Sequence, residues 1–82
     1  MNNEAILIRL TEEVKLRGFS KKTLKVYLYH TNKFIAWYNK PLKYTHKEDI
    51  RKYFLHLNSQ NLDENTIRLI GASLKFTFTK IY

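Results

Sequence analysis

The sequence predicts an all-α protein that folds as a compact four-helix bundle. Apolar residues recur at the three- and four-residue steps of an amphipathic helix in four separate stretches. Three of these stretches follow a residue type that caps helices. The 82 residues include two glycines and one proline, and neither β-type alternation nor an Asn-Gly hairpin signal is present. The short connections between the stretches favour helices that pack as close neighbours.

The first helix is predicted to run from about Asn3 to Arg17. Its buried stripe consists of apolar residues about one turn apart, namely Leu7, Leu10 and Val14, with Ile6 beside them. Gly18 follows the last turn, where a glycine in the left-handed conformation commonly ends a helix.

The second helix is predicted to follow Ser20, whose hydroxyl can accept a hydrogen bond from a first-turn amide. Phe19 and Leu24 form a hydrophobic staple around this cap. The helix should end near Asn39, because Pro41 disfavours helical geometry at the residue before it. Its inward stripe is predicted to be Leu24, Tyr27, Leu28, Thr31, Phe34, Ile35 and Tyr38. The opposite face is predicted to be Lys22, Lys25, Tyr29, Lys33, Ala36 and Lys40.

The third helix is predicted to be capped by Thr45, with Glu48 three residues later completing a capping box. Its inward residues are predicted to be Ile50, Tyr53, Phe54 and Leu57. The helix should stop between Ser59 and Asn61.

The fourth helix is predicted to be capped by Asp63, with Leu62 and Ile67 as its staple. Its core stripe is predicted to be Ile67, Ile70, Leu74, Phe78 and Ile81. A polar stripe lies opposite, made of Asn65, Arg68, Ala72, Lys75 and Thr79.

Positive charge is concentrated in one part of the chain. The formal net charge is +8, and residues 20–40 hold five lysines and no acidic residue. A helix surface of one sign repels itself and is stabilised by an anionic partner. The clustering therefore favours double-stranded DNA as the partner over a basic surface that is only solvated, and over an anionic membrane. No apolar run is long enough to span a membrane, and no signal-peptide pattern follows Met1.

Three segments together resemble the core-binding domain of tyrosine recombinases, the phage-type integrases. Residues 18–20 with Thr23, Tyr27 and Phe34 are similar to the opening motif of that family. Residues 44–50 resemble the start of its third helix, and residues 65–67 with 72–76 resemble its fourth. One departure is that Phe76 follows Lys75 directly, while Phe78 occupies the more usual aromatic place. The resemblance covers nearly all of residues 5–80.

This resemblance implies the SAM-like fold of the core-binding domain, which forms one half of a clamp around duplex DNA. In that family the second and fourth helices face the major groove, and the catalytic half follows on the C-terminal side. The residues expected to contact DNA here are Lys21, Lys22, Thr23, Lys25, Tyr29, Lys33, Asn65, Arg68, Ala72 and Lys75. Lysines and the Thr23 hydroxyl suit phosphates, whereas Arg68 and Asn65 have the forked donors that recognise base edges.

The chemistry of an enzyme is missing from this sequence. The family's His-x-x-Arg pair cannot be placed, because His30, His46 and His56 lack an arginine three residues later. Tyr82 lacks the arginine and histidine partners that would make it a nucleophile. The histidine spacing does not fit a helical zinc site, and no glycine-rich loop could hold nucleotide phosphates. We therefore expect no catalysis by this chain, no metal, no cofactor and no small-molecule substrate.

Residues 1–82 are predicted to form a single core-binding domain without the catalytic domain. The expected partners are double-stranded DNA, the catalytic domain of the same parent chain, and neighbouring recombinase protomers. Leu69 and Phe76 turn away from the main stripe, and they either fill a gap beside the first helix or dock one of these protein partners. The alternative function is a helical protein–protein interaction module. The expected location is the cytoplasm, and the sequence does not specify the DNA target.

Overall fold

The computed structural model describes residues 3–81, with side chains described through Thr79. In this range the chain forms four α-helices, α1 (Asn3–Leu16), α2 (Lys21–Tyr38), α3 (Lys47–Asn58) and α4 (Glu64–Phe76). A short 3-10 turn, Leu42–Tyr44, connects α2 to α3, and a π-helical turn, Thr77–Ile81, continues α4. Residues 3–81 contain no β-strand, and the prediction of an all-α four-helix protein is confirmed.

Local signals fix three of the helix boundaries as predicted. Gly18 has a φ of 72° and ends α1 in the left-handed region that favours glycine. Ser20 caps α2, because its Oγ accepts a hydrogen bond of 3.1 Å from the Thr23 amide. Asp63 caps α4 in the same way, with its Oδ1 accepting a bond of 2.7 Å from the Thr66 amide. These caps set the start of the two helices that carry the predicted site.

The predicted cap of α3 is wrong by one residue. The N-cap is His46, and its backbone amide donates to Asp49 Oδ2 at 2.9 Å, so Asp49 takes the place predicted for Glu48. Thr45 does not cap the helix, since its hydroxyl oxygen is buried. The 3-10 turn buries Leu42 immediately before this point, which draws Thr45 inward and delays the helix. The bond from His46, assisted by a hydrogen bond from Tyr38, lowers the pKa of Asp49.

The hydrophobic core is centred on Phe34 of α2, which is 0% exposed. Its ring lies 5.0 Å from the Tyr53 ring, 5.5 Å from Tyr38 and 5.8 Å from Phe78, measured between centroids. Other buried apolar residues lie on the predicted stripes, namely Ile6, Leu10, Val14, Leu57, Ile70 and Leu74, whereas the buried Leu42 was not predicted. Leu7 is only partly buried, and the side chain of Ile81 lies outside the described residues.

A buried polar contact joins α2 to the end of α4. The hydroxyls of Thr31 and Thr77 lie 3.1 Å apart, and Thr77 Oγ1 also bonds to the Ser73 carbonyl at 3.0 Å. Thr77 is the first residue of the π-helical turn. The apolar stripe had predicted a regular helical period through Ile81, so the widened turn is a difference from the expectation. Among residues 3–81, no helix is both long and apolar enough to cross a membrane.

Candidate nucleic-acid interface

The outer side of α2, extended by Lys40 just beyond the C-cap, presents four lysines with Tyr29 and Ala36 between them, a surface here called the lysine face. Its members are Lys22, Lys25, Tyr29, Lys33, Ala36 and Lys40, and all of them are exposed. This agrees with the predicted division of α2 into an inward and an outward side. Within residues 3–79, every ion pair uses an arginine rather than a lysine. The lysine ammonium groups therefore have no carboxylate within ion-pair distance in this part of the chain.

The two ends of the lysine face differ in their surroundings. Lys21, Lys22 and Lys25 lie in the first turns of α2, where no acidic residue is present. At the other end, the charge of Lys40 contributes to lowering the pKa of Asp49, after the larger effects of the hydrogen bonds to that carboxylate. The Thr23 hydroxyl lies 3.1 Å from Ser20 Oγ, so it belongs to the cap at the start of the helix. The least neutralised positive charge is thus at the N-terminal end of α2.

The outer side of α4 carries the second predicted set. Asn65, Arg68, Ala72, Lys75 and Thr79 are all exposed, as the helical period required. Arg68 Nη2 donates to Glu64 Oε1 at 2.8 Å, and the two side chains are 73% and 79% exposed. An ion pair this open to solvent contributes about 0–1 kcal/mol. Arg68 can therefore leave Glu64 for another acceptor at little cost.

The two helices that carry these sets pack directly against each other. The rings of Tyr27 on α2 and Phe76 on α4 are 5.3 Å apart, and the pair Thr31–Thr77 makes a second contact between these segments. Phe76 also contacts Phe19 and lies beneath the Arg17 guanidinium. It therefore fills the space beside the end of α1, whereas Leu69 remains 48% exposed.

A cavity of about 330 Å³ lies between α2, α3 and the N-terminal half of α4, open to solvent on one side. We call it the ring cavity, after the aromatic and imidazole side chains of Tyr29, His30, Trp37, Tyr53 and His56 that line it together with Lys33, Gln60 and Thr66. Of the predicted site residues, the cavity brings together Tyr29 and Lys33 and places them beside Thr66, the neighbour of Asn65. The cavity lining does not include Arg68. Lys75 lies instead beside Phe54 and Gly71 at the α3–α4 groove.

Several residues of the ring cavity were not predicted as functional. Trp37 reaches it from α2, His56 from α3 and Gln60 from the turn after α3, and His56 Nε2 lies 3.1 Å from Gln60 Nε2. The His30 ring packs against Tyr29 at 5.1 Å between centroids, and burial lowers the pKa of His30. Burial, with a smaller effect of Tyr29, raises the pKa of Tyr53. Within the described residues, no group of three or more acidic or histidine side chains could hold a metal ion.

Fold and surface together define a small helical domain with two outward polar helix faces, one of which carries only positive charges. The chain belongs to the family of the phage integrase N-terminal SAM-like domain, whose profile matches residues 6–82. This places it among the tyrosine recombinases, in a domain that is not the catalytic part of an integrase.

One similar protein is described as an integrase/recombinase, y4qK, of Sinorhizobium fredii (strain NBRC 101917 / NGR234). It is 33% identical over 72 residues, which are 87% of this chain and 23% of that protein. The chain therefore spans about a quarter of the length of this relative. No solved structure gives a significant match.

Proposed function

We propose that this domain binds double-stranded DNA as the core-binding part of a tyrosine recombinase, with the outer sides of α2 and α4 against the duplex. The observation that supports it most is the lysine face, whose members are all exposed and which has no lysine in an ion pair within residues 3–79. Each phosphate neutralised by such a lysine releases counterions from the DNA. The catalytic domain and neighbouring protomers would then be supplied by the parent recombinase.

The proposed contacts follow from the chemistry of each side chain. Lysine is a flexible point charge, so the lysines at the start of α2 and Lys33 contact phosphates and set the position of the domain. Tyr29 packs against a sugar or a thymine methyl group. On α4, Arg68 and Asn65 contact base edges. The small side chain of Ala72 lets the backbone approach the groove, and Lys75 adds a further phosphate contact.

Salt dependence tests this proposal. With about four to six phosphates neutralised, the affinity for a fluorescently labelled duplex should fall with a log–log slope of about −4 to −5 against salt concentration. Fluorescence anisotropy at several salt concentrations measures the slope. An affinity that hardly changes between low and moderate salt would exclude the lysine face as the contact surface. The alternative, a protein-interaction module, predicts no duplex binding at any of these concentrations.

Arg68 is expected to contribute to sequence discrimination rather than to general affinity. Replacing Arg68 by alanine should reduce the difference in binding free energy between a selected site and random DNA by about 1–3 kcal/mol, because a bidentate contact to one base is lost. The site is first selected from a random duplex library, and both affinities are then measured by anisotropy. Glu64→Gln should instead strengthen binding to both DNAs, since it removes a repulsive carboxylate and releases Arg68.

Arg51 provides the matched control for this experiment. It also forms an exposed ion pair, with Glu48 at 3.2 Å, but it lies on α3 outside both proposed contact faces. Arg51→Ala should leave the discrimination between the two DNAs unchanged. Equal losses on selected and random DNA for Arg68→Ala would remove Arg68 from base recognition.

A further inference from the structure

The ring cavity has the size and walls of a site for a flat ligand. Its volume of about 330 Å³ is within the range of small-molecule pockets, about 300–1,000 Å³. The Trp37 ring lies 5.1 Å from Tyr53 and 5.9 Å from His56, and the planes of Trp37 and His56 are inclined by 31°. Leu57 and Ile70 add apolar surface from α3 and α4. Such walls favour the stacking of a planar, polarisable group.

The polar groups that line the ring cavity indicate which charge its ligand should carry. Among the residues that line it, Lys33 carries the only permanent charge, and none is acidic. The Lys33 ammonium lies 5.6 Å from the centre of the exposed Tyr29 ring, on the side that α2 presents to solvent. His56 and Gln60 offer hydrogen-bonding groups on the opposite wall. The occupant is therefore flat, able to form hydrogen bonds at its edges, and negatively charged on the side of Lys33.

We propose that the ring cavity binds one nucleotide unit, with the base against the rings of Trp37 and His56 and the phosphate on Lys33. Two sources share this chemistry, an unpaired nucleotide in DNA and a free nucleotide. Binding of an unpaired nucleotide of DNA rests on the proposed function, because Lys33 and Tyr29 belong to the lysine face that would lie on the duplex. Binding of a free nucleotide does not depend on it.

Trp37 is the only tryptophan, so its indole N–H gives a single NMR signal that reports directly on the ring cavity. Deoxyadenosine monophosphate should shift this signal in a saturable way, with a dissociation constant of about 1–10 mM from one stacked base and one phosphate contact. Inorganic phosphate alone should not shift it. Deoxyadenosine should bind more weakly than its monophosphate, and Lys33→Gln should abolish that difference, whereas Lys15→Gln on α1 should preserve it.

His56→Ala should weaken nucleotide binding about tenfold, because a ring of the stacking wall is lost. His46→Ala, at the N-cap of the same helix, is the matched control and should bind like the unchanged protein. Far-UV circular dichroism melts confirm that both variants are folded. A Trp37 signal that does not respond to the monophosphate, or a His56→Ala variant that binds it as well as the control, would overturn the proposal.

Two duplexes distinguish the sources of the nucleotide. A duplex with one extra unpaired adenine should bind about five- to tenfold more tightly than its fully paired counterpart and should shift the Trp37 signal, if the unit comes from DNA. Equal binding of both duplexes, together with a response to the free monophosphate, would assign the cavity to free nucleotides. Failure of the paired duplex to bind would contradict the proposed function but not the nucleotide site.

Discussion

Charge reversal at Lys22 and Lys25 should weaken binding to every duplex sequence alike. Both lysines lie at the N-terminal end of the lysine face, where no carboxylate neutralises them. If each contacts one phosphate, the double variant Lys22→Glu/Lys25→Glu should lose about 100-fold in affinity at low salt, about 1.4 kcal/mol for each lysine. The log–log salt slope should become less steep by about two. Anisotropy titrations of selected and random duplexes at several salt concentrations measure both quantities.

The control must change the net charge by the same amount at a different place. Lys15→Glu/Lys47→Glu does so, because Lys15 lies in the last turn of α1 and Lys47 begins α3, both exposed and both outside the lysine face. This variant should lose only the small part of the affinity that comes from long-range attraction. If the two double variants weaken binding equally, DNA responds to the total charge of the protein and the lysine face is not its contact surface.

Truncation of Phe34 has the largest expected effect on stability. Phe34→Ala removes a ring that is 0% exposed and contacts the rings of Tyr38, Tyr53 and Phe78. Replacing a buried phenylalanine by alanine costs about 3–5 kcal/mol, against a total stability of about 4–12 kcal/mol expected for a domain of this length. The melting temperature should fall by about 15–30 °C. Far-UV circular dichroism during heating, with urea titrations for the free energy of unfolding, measures the loss.

Phe19→Ala is the matched control for the core. Phe19 also packs against two rings, those of Tyr27 and Phe76, but it is 41% exposed and lies at the edge of the bundle. Phe19→Ala should lower the free energy of unfolding clearly less than Phe34→Ala does, because solvent already reaches part of the Phe19 ring and no closed void remains. Melting temperatures that fall by the same amount in both variants would show that the core is not centred on Phe34.

Helix boundaries were predictable where one local signal stands alone. Ser20 and Asp63 are the single capping residues before their apolar stripes, and both cap as predicted. Before α3 the predicted pair was Thr45 with Glu48, whereas the structure uses His46 with Asp49, one residue later. The choice between them depends on the burial of Leu42, whose amide donates to the Asn3 side chain of α1 at 3.0 Å. A contact between distant segments of this kind leaves no pattern in the local sequence.

The predictable features of the site are those that depend on one helix at a time. The outward direction of the lysines of α2 and of Arg68 follows from the helical period alone, and the structure agrees. The ion pair of Arg68 with Glu64 is a four-residue spacing that the sequence displays, although it was not singled out. The ring cavity could not be predicted, because Trp37, His56 and Thr66 come from three helices whose mutual packing no local pattern specifies.

The hydroxyl contact between Thr31 and Thr77 has a consequence for the outside of the molecule. If α4 shifted by one residue along α2, both groups would be left without this partner in an apolar interior, which is costly. This buried contact therefore fixes the position of α4 along the axis of α2. The spacing between the positive groups of α2 and the polar groups of α4 is then a constant of the fold, and under the proposed function a bound duplex would have to adapt its groove to that spacing.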